Sequence, residues 1–283
     1  MSDNNTDRNT AEILGAILTI LRSFDVIVVN SSAGKDSQAM LDVVVKLARV
    51  AGVEDRILVA HADLGRVEWK GTRELAEEQA NFYGVRFQAV SRPQGDLLKQ
   101  IEDRGMWPSS TARYCTSDHK RGQIAKIFTA LAKELRESGV TDRPVRILNC
   151  MGLRSQESPA RAKKVGHHFE QDERATNGRR DVWTWLPILD WNVEEVWAQI
   201  KIAGTRHHPA YDLGMPRLSC VLCVFASRSA LMIAGRENRE LLDTYVELEQ
   251  KIGHTFRNGF KIEEIRDALD AGEKTEKADD WAA

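Results

Sequence analysis

The stretch that most constrains this chain is residues 26–37, where Val26-Ile27-Val28-Val29 gives way to Asn30-Ser31-Ser32-Ala33-Gly34-Lys35-Asp36-Ser37. Four consecutive β-branched apolar residues suit a strand buried on both faces of a parallel sheet, and residues 38–51 place apolar side chains at helical spacing. A loop of small residues therefore sits where strand passes into helix. Ser, Ala and Gly let the backbone approach a ligand closely, successive N–H groups form an anion nest, and the helix N-terminus adds partial positive charge. Lys35 adds a full charge. The spacing excludes a Walker loop, which needs Gly five residues before the Gly-Lys pair and Ser or Thr directly after it; Val29 and Asp36 stand at those places.

A chain of 283 residues can bury one large α/β core with an appendage. Its net charge of −2 gives no global basic footprint, so any nucleic-acid contact must come from a local patch. Residues 1–10 are polar and lack a signal-peptide layout, and no apolar run approaches spanning length, so the expectation is a cytoplasmic protein without membrane association. In that compartment Cys115, Cys150, Cys220 and Cys223 read as metal ligands, reactive thiols or buried packing rather than disulfides.

Along the chain, residues 10–23 form an apolar-striped helix. A second strand at 56–62 delivers His61 and Asp63 at its C-terminal end, where open parallel sheets bind ligands. A helix at 68–83, a third strand at 85–90, a fourth at 145–151 and a fifth at 182–189 complete a doubly wound α/β pattern. Residues 105–118 form a long loop, a length that signals function, before a helix at 119–138. The fourth strand runs into Arg154 and Arg161, whose planar guanidinium forks suit phosphate or sulfate at the same sheet edge as the loop. Residues 154–180 carry seven Lys/Arg against four Asp/Glu, and read equally as a solvated loop or a nucleic-acid contact. Asn192 and Glu195 form a capping box. The neighbouring Trp183, Trp185, Trp191 and Trp197 read as core rather than as a stacking platform. A second long loop at 204–223 ends in Cys220-x-x-Cys223. Helices at 228–252 and 261–271 follow, and the last 21 residues, with eight acids against three bases, are expected to fray. The expected division is a nucleotide-binding domain at 1–203 and a cysteine-loop and helical extension at 204–283.

Ser32-Ala-Gly-Lys-Asp-Ser37 resembles the Ser-Gly-Gly-x-Asp-Ser signature of PP-loop ATP pyrophosphatases, with Ala33 in place of one Gly. With His61-Ala-Asp-Leu-Gly65, Arg113-Tyr-Cys-Thr-Ser-Asp-His-Lys120, Gly152-Leu-Arg-Ser-Gln-Glu-Ser-Pro-Ala-Arg161, Pro187-Ile-Leu-Asp-Trp191 and residues 211–223, the order of motifs resembles the phosphoadenosine phosphosulfate (PAPS) reductase-like branch of that superfamily over residues 24–226. The resemblance implies an adenine nucleotide alpha hydrolase-like fold. It implies ATP with Mg²⁺ at Ser32, Ala33, Gly34, Lys35, Asp36 and Ser37, Asp63 near the nucleotide, and an anion pocket of Arg113, Lys120, Arg154 and Arg161. Lys35, Asp36, Arg154 and Arg161 are then the catalytic candidates, and Cys-x-x-Cys belongs to a 4Fe-4S cluster in many members.

Two departures redirect the functional expectation. Cluster-bearing sulfonucleotide reductases have paired cysteines where this chain has Tyr114-Cys115, which leaves Cys115, Cys220 and Cys223. Cys150, at a strand end, either completes the set or is a buried thiol, and a free fourth iron is the other arrangement. The reductase nucleophile, a cysteine near the C-terminus, has no counterpart in residues 224–283. The pattern then looks like the ATP pyrophosphatase component of DNA phosphorothioation systems or a related nucleic-acid sulfurtransferase, served by a sulfur donor such as a cysteine desulfurase. Against it stand sulfonucleotide reduction or sulfate activation in sulfate assimilation, and a zinc-stabilised nucleic-acid module using the cysteines with His119 or Cys150.

Overall fold

The computed structural model describes residues 3–280, with side chains from residue 11 onward. Val26–Asn30 forms the first strand, β1, and its alternate residues face opposite layers. Ile27 and Val29 share a buried cluster with Met40, Leu41 and Val44, whereas Val26 and Val28 share another with Ile124, Ile127 and Phe128. This two-sided burial is why the strand is apolar at every position. The remaining strands are β2 (Ile57–Ala62), β3 (Arg86–Val90), β4 (Val145–Cys150), β5 (Phe169–Gln171) and β6 (Arg180–Trp185), in the order β3-β2-β1-β4-β6-β5. β1 pairs in parallel with β2 on one side and β4 on the other, so the chain's direction of winding reverses beside it. Ligands of such sheets bind outside the strand ends at that reversal.

The fold is the expected doubly wound α/β, with one departure at its edge. β5 runs antiparallel to β6 inside the segment read as a basic loop, and β6 ends at Trp185 rather than near 189. Phe169 explains the hairpin. Its ring stacks on Trp183 at 4.9 Å and meets Phe24 edge-on at 6.0 Å, covering the sheet margin with aromatic surface.

The helices are α1 (Asp3–Arg22), α2 (Lys35–Ala51), α3 (Thr72–Tyr83), α4 (Leu97–Arg104), α5 (Tyr114–Thr116), α6 (Gly122–Glu137), α7 (Pro159–Ala162), α8 (Val193–Ala203), α9 (Arg228–Glu237), α10 (Arg239–Ile252) and α11 (Glu263–Asp270). α1 and α2 cover one face of the sheet and α6 the other. The expected single helix over 228–252 breaks at Asn238, whose backbone leaves the helical region while its side chain bonds the Ala234 carbonyl. Beyond α8, whose C-cap is Gly204, the C-terminal helices share a core with residues 64–114. Trp107, Tyr245 and Phe256 meet in it with ring centroids 5.2–6.2 Å apart. The loop before these helices is tied to the start of α2, where Lys35 bonds Tyr211 and Pro216.

The acidic tail expected to fray is docked instead. Arg236 donates to the Thr275 carbonyl, the Ala278 amide donates to Gly214, and Ser229 donates to the Asp279 carboxylate. Gly214 has φ +92°, and a Cβ there would lie 2.4 Å from the Glu276 carbonyl oxygen, so only glycine lets the tail lie this close. Among the described residues no helix is long and apolar enough to cross a membrane.

Candidate functional site

Each residue of the loop after β1 is held by a specific bond. Ser37 Oγ accepts from the Ser32 amide and donates to the Gly34 carbonyl, folding the loop onto the first turn of α2. The Ala33 amide donates to Ser31 Oγ, and Ala33 has φ +54°, a left-handed conformation that costs an L-residue on the order of 1 kcal/mol. This is the place where the family signature has Gly. The Ala33 methyl is fully buried against Leu75 and Ala76, contacts that offset the strain. At Gly152, after β4, a Cβ would lie 2.8 Å from the Asp36 carbonyl oxygen. The loop after β4 can therefore press on the start of α2 and carry Arg154 to it.

Lys35 is 3 % exposed, and its ammonium lies 3.3 Å from Asp36 and donates to the Pro216 carbonyl at 3.0 Å. Arg154 donates from Nε to Asp36 Oδ1 at 2.5 Å, so the Asp36 carboxylate bridges the two cations. Glu157 holds Arg161 through an ion pair and accepts from the Arg154 amide at 2.8 Å. The Lys35 amide, at the mouth of the nest, donates to the Tyr211 hydroxyl at 2.8 Å. Burial keeps that phenol protonated by raising its pKa. Tyr211 and Pro216 therefore sit on the phosphate loop by bonds that a phosphate oxygen would compete for.

Lys35, Arg154, Glu157, Trp197, Tyr211 and Arg217 line one cavity of about 560 Å³, closed on one side by Glu276, Lys277 and Asp280 of the tail. Two expectations change here. Trp197, read as core, is half-buried on the cavity wall and meets Tyr211 edge-on at 5.1 Å. Asp63 lies outside the cavity, accepting from the Gly65 amide at 2.8 Å and facing Arg73 at 3.6 Å. Sequence reasoning missed Tyr211, Arg217 and Glu157. The length of the 204–223 loop was the available signal for the first two, and nothing in residue spacing told which of its side chains turn inward.

The expected anion pocket is divided. Arg154 and Arg161 stay with Lys35, but Arg113 and Lys120 lie with the cysteines. The Arg113 guanidinium covers the Phe225 ring at 4.5 Å, next to Cys223. Cys115, Cys220 and Cys223 are half-buried, pack against the same core, and lie in one another's electrostatic field. The Val221 amide donates to the Val67 carbonyl at 2.8 Å, tying the Cys-x-x-Cys loop to the turn after β2. Burial pushes the Cys220 thiol up to about 12 and raises that of Cys223, with Lys120 opposing in both. Lys120 is exposed as a residue. Desolvation lowers its proton affinity, but Cys220, Cys223, Cys115 and Glu68 outweigh this and its pKa is raised.

Cys150 is not brought to these three. It is fully buried in the opposite layer with Trp185 and Ile188, and burial alone raises its thiol pKa. His119 is also committed elsewhere, with Nε2 2.7 Å from Gln100 Oε1. Among the described residues no group of three or more His, Cys, Asp or Glu closes around one ion position. His61 joins the two regions. Its Nδ1–H donates to the Ser31 carbonyl at 2.9 Å, and Nε2 lies 3.2 Å from Glu68, which sits in the field of Cys220.

The basic stretch is largely consumed internally. Arg180 donates to the Ala175 and Ala125 carbonyls and pins β6 to α6, and Lys164 and His167 face Glu170. Lys163, Arg174 and Arg179 remain exposed.

An adenosine 5'-phosphosulfate reductase of Allochromatium vinosum is 25 % identical over 230 residues, covering 80 % of this chain and 78 % of that one. An uncharacterised 37.8 kDa protein of Escherichia phage 186 is 27 % identical over 186 residues, or 65 % of this chain, and the chain spans only about half of its length (52 %). Among solved structures, the phosphate complex of a PAPS reductase from Candida auris aligns with a TM-score of 0.40 and 16 % identity, covering 70 % of this chain and 84 % of that one. The phosphoadenosine phosphosulfate reductase domain profile matches residues 26–226, the span from β1 to the end of the cysteine loop, and the chain belongs to that family.

Proposed function

We propose that the protein is an ATP pyrophosphatase that activates an acceptor for sulfur transfer. The observation that carries this reading is the cation set at the loop after β1, Lys35 and Arg154 bridged by Asp36. In this reading the Ser32–Ser37 backbone and Lys35 hold the polyphosphate, Arg154 and Arg161 stabilise charge on the phosphates, and Mg²⁺ arriving with the nucleotide would neutralise further phosphate charge. An acceptor oxygen attacks the α-phosphorus, the bond from that phosphorus to the bridging oxygen breaks, and pyrophosphate leaves. The acceptor oxygen now carries AMP; persulfide sulfur from a donor protein such as a cysteine desulfurase, reduced to the sulfide level by a thiol reductant, attacks the activated atom, and AMP leaves with the acceptor oxygen. The acceptor in this reading is a nucleic acid, as in DNA phosphorothioation or a related thiolation, met through the exposed Lys163, Arg174 and Arg179.

Cys115, Cys220 and Cys223 would hold a 4Fe-4S cluster in this reading. A single ion draws its ligands into one coordination sphere, whereas a cluster takes each cysteine on a different iron. Three cysteines that share a neighbourhood are the donor type such a cluster takes, and a bound cluster would supply the positive charge that makes buried thiols ionise. His119, bonded to Gln100, is a poor fourth ligand for zinc.

The deciding experiment is ATP turnover with candidate nucleic acids, resolving pyrophosphate from orthophosphate. AMP with pyrophosphate is expected, and ADP with orthophosphate would overturn the reading. The identity with an adenosine 5'-phosphosulfate reductase over 80 % of this chain favours a second reading, sulfonucleotide reduction. That reaction requires a thiolate to attack sulfur and then present a mixed disulfide to a reductant. Steady sulfite release with thioredoxin would establish it in place of the first.

A further inference from the structure

The cavity beside the phosphate loop has a third cation, on a segment that neither Lys35 nor Arg154 belongs to. Arg217 follows Pro216, whose carbonyl accepts from Lys35, and its side chain is 13 % exposed. Its Nη2 donates to the Glu157 carbonyl at 3.3 Å, its Nη1 is 3.9 Å from the Glu157 carboxylate, and its Nε donates to Asp280 Oδ1 at 2.6 Å. We infer that Arg217 is a phosphoryl subsite, and that the Asp280 carboxylate occupies it until a polyphosphate group displaces it.

The contrast between the cavity's two arginines supports the assignment. Arg154 and Asp36 are 6 % and 17 % exposed, a pair fixed between two backbone loops. Asp280 is 63 % exposed, so water reaches and screens its end of the pair, the end at which an incoming anion can compete. A carboxylate and a phosphoryl group present the same paired oxygens to a guanidinium, and a phosphoryl group with more charge binds it more strongly. The tail is built to deliver this carboxylate: Ala278 is buried and bonded to Gly214, and Asp279 is bonded to Ser229 from both its amide and its carboxylate. Asp280 is the residue that then reaches the cavity. The acceptable ligand is the polyphosphate end of a nucleotide or free pyrophosphate, and a nucleoside monophosphate separates these from a lone phosphate.

This subsite rests on the reading that the Ser32–Ser37 loop takes a nucleotide polyphosphate. The test is calorimetric titration of the full chain with inorganic pyrophosphate and, in a second arm, AMP, for wild type, Arg217→Gln, Asp280→Asn and the double variant. Arg217→Gln should weaken pyrophosphate binding at least about tenfold, the loss of a charge-assisted contact. Asp280→Asn should tighten it by about threefold, and the tightening should vanish in the Arg217→Gln background, since neighbours that share a partner are not additive. AMP should show much smaller changes in every variant. Unchanged pyrophosphate binding in Arg217→Gln overturns the inference, as does an Asp280→Asn effect that persists without Arg217, which is general charge repulsion. If Arg217→Gln unfolds in a thermal melt, Arg217→Lys and Asp280→Asn decide by the same criteria. Failure of the turnover reading looks different: pyrophosphate binds through Arg217, yet ATP yields no AMP.

Discussion

The phosphate-loop cavity and the cysteine neighbourhood lie on either side of His61, and they settle their charges in opposite ways. At the cavity Lys35 and Arg154 share Asp36 and Arg217 reaches Glu157 and Asp280, and the neighbouring Arg161 has Glu157. In the cysteine neighbourhood burial keeps the Cys220 and Cys223 thiols protonated, and Lys120 is the neighbouring charge. A ligand entering the first region exchanges one anion for another, at little electrostatic cost. A ligand of the second must be a cation that ionises the thiols itself. The first region thus pairs its cations with carboxylates, while the second holds buried thiols beside one lysine.

The sharpest way to break this comparison is at the sulfurs. Cys220→Ser or Cys223→Ser should abolish iron and acid-labile sulfide in protein purified without oxygen, whereas Cys150→Ala should leave both unchanged. Iron lost from the Cys150 variant would join the opposite layer to the site and undo the division. Stoichiometric zinc in the wild type, with no iron, would replace the cluster. The next largest effect belongs to the anion side. Lys35→Ala should lower release of pyrophosphate from ATP at least about tenfold, because the ammonium meets charge that grows on the leaving group. Unchanged turnover would remove Lys35 from the reaction.

The two regions also differ in how far the sequence revealed them. The strand, loop and helix at 26–51 were legible because β1 is apolar at every position and the loop is built of small residues, signals carried by consecutive residues. The placement of Lys35 and Arg154 together was legible for the same reason, each following closely on the end of one of two adjacent strands. The division of Arg113 and Lys120 from that group was not, because it depends on where the 105–118 loop crosses the sheet, and no local pattern encodes that crossing. Cys150 shows the limit most plainly. Its place at a strand end was visible, but which face it points to depends on strand phase, and β4 turns it toward Trp185 and away from the other thiols. The docked tail was invisible because its charges suggested solvent, while Gly214 and Ser229, which hold it, stand about 50 residues or more earlier.

A smaller effect sharpens the cavity's side of the comparison. Tyr211→Phe removes the acceptor of the Lys35 amide, so the free protein should lose about 1 kcal/mol of stability, the cost of an unmade hydrogen bond. A phosphate oxygen would restore the acceptor, so a non-hydrolysable ATP analogue should bind a few-fold more tightly to the variant. Weaker binding instead would make the hydroxyl a ligand of the nucleotide and not its competitor.

The smallest effect concerns the junction. His61 is 1 % exposed and spans from the Ser31 carbonyl to Glu68. Burial works against the charged ring, but the Glu68 hydrogen bond and charge, the Ser31 carbonyl and the Asp63 charge outweigh it and raise the pKa of His61. A histidine whose folded pKa is raised contributes stability that is fully present below its unfolded value, near 6.5, and is lost as pH rises through the folded value. Glu68→Gln removes the carboxylate that holds the charged ring. In metal-free protein the melting temperature of this variant should therefore fall below that of wild type by about 2–4 °C near pH 5.5, if the pair contributes about 1 kcal/mol. The gap should close as the pH passes the raised value and the ring becomes neutral in both proteins. A gap that is constant with pH would make Glu68 a packing residue only, and a gap that widens at high pH would reverse the sign of the shift. Either result would uncouple the phosphate loop from the cysteine neighbourhood, since His61 is the side chain that touches the backbone of one and a carboxylate in the field of the other.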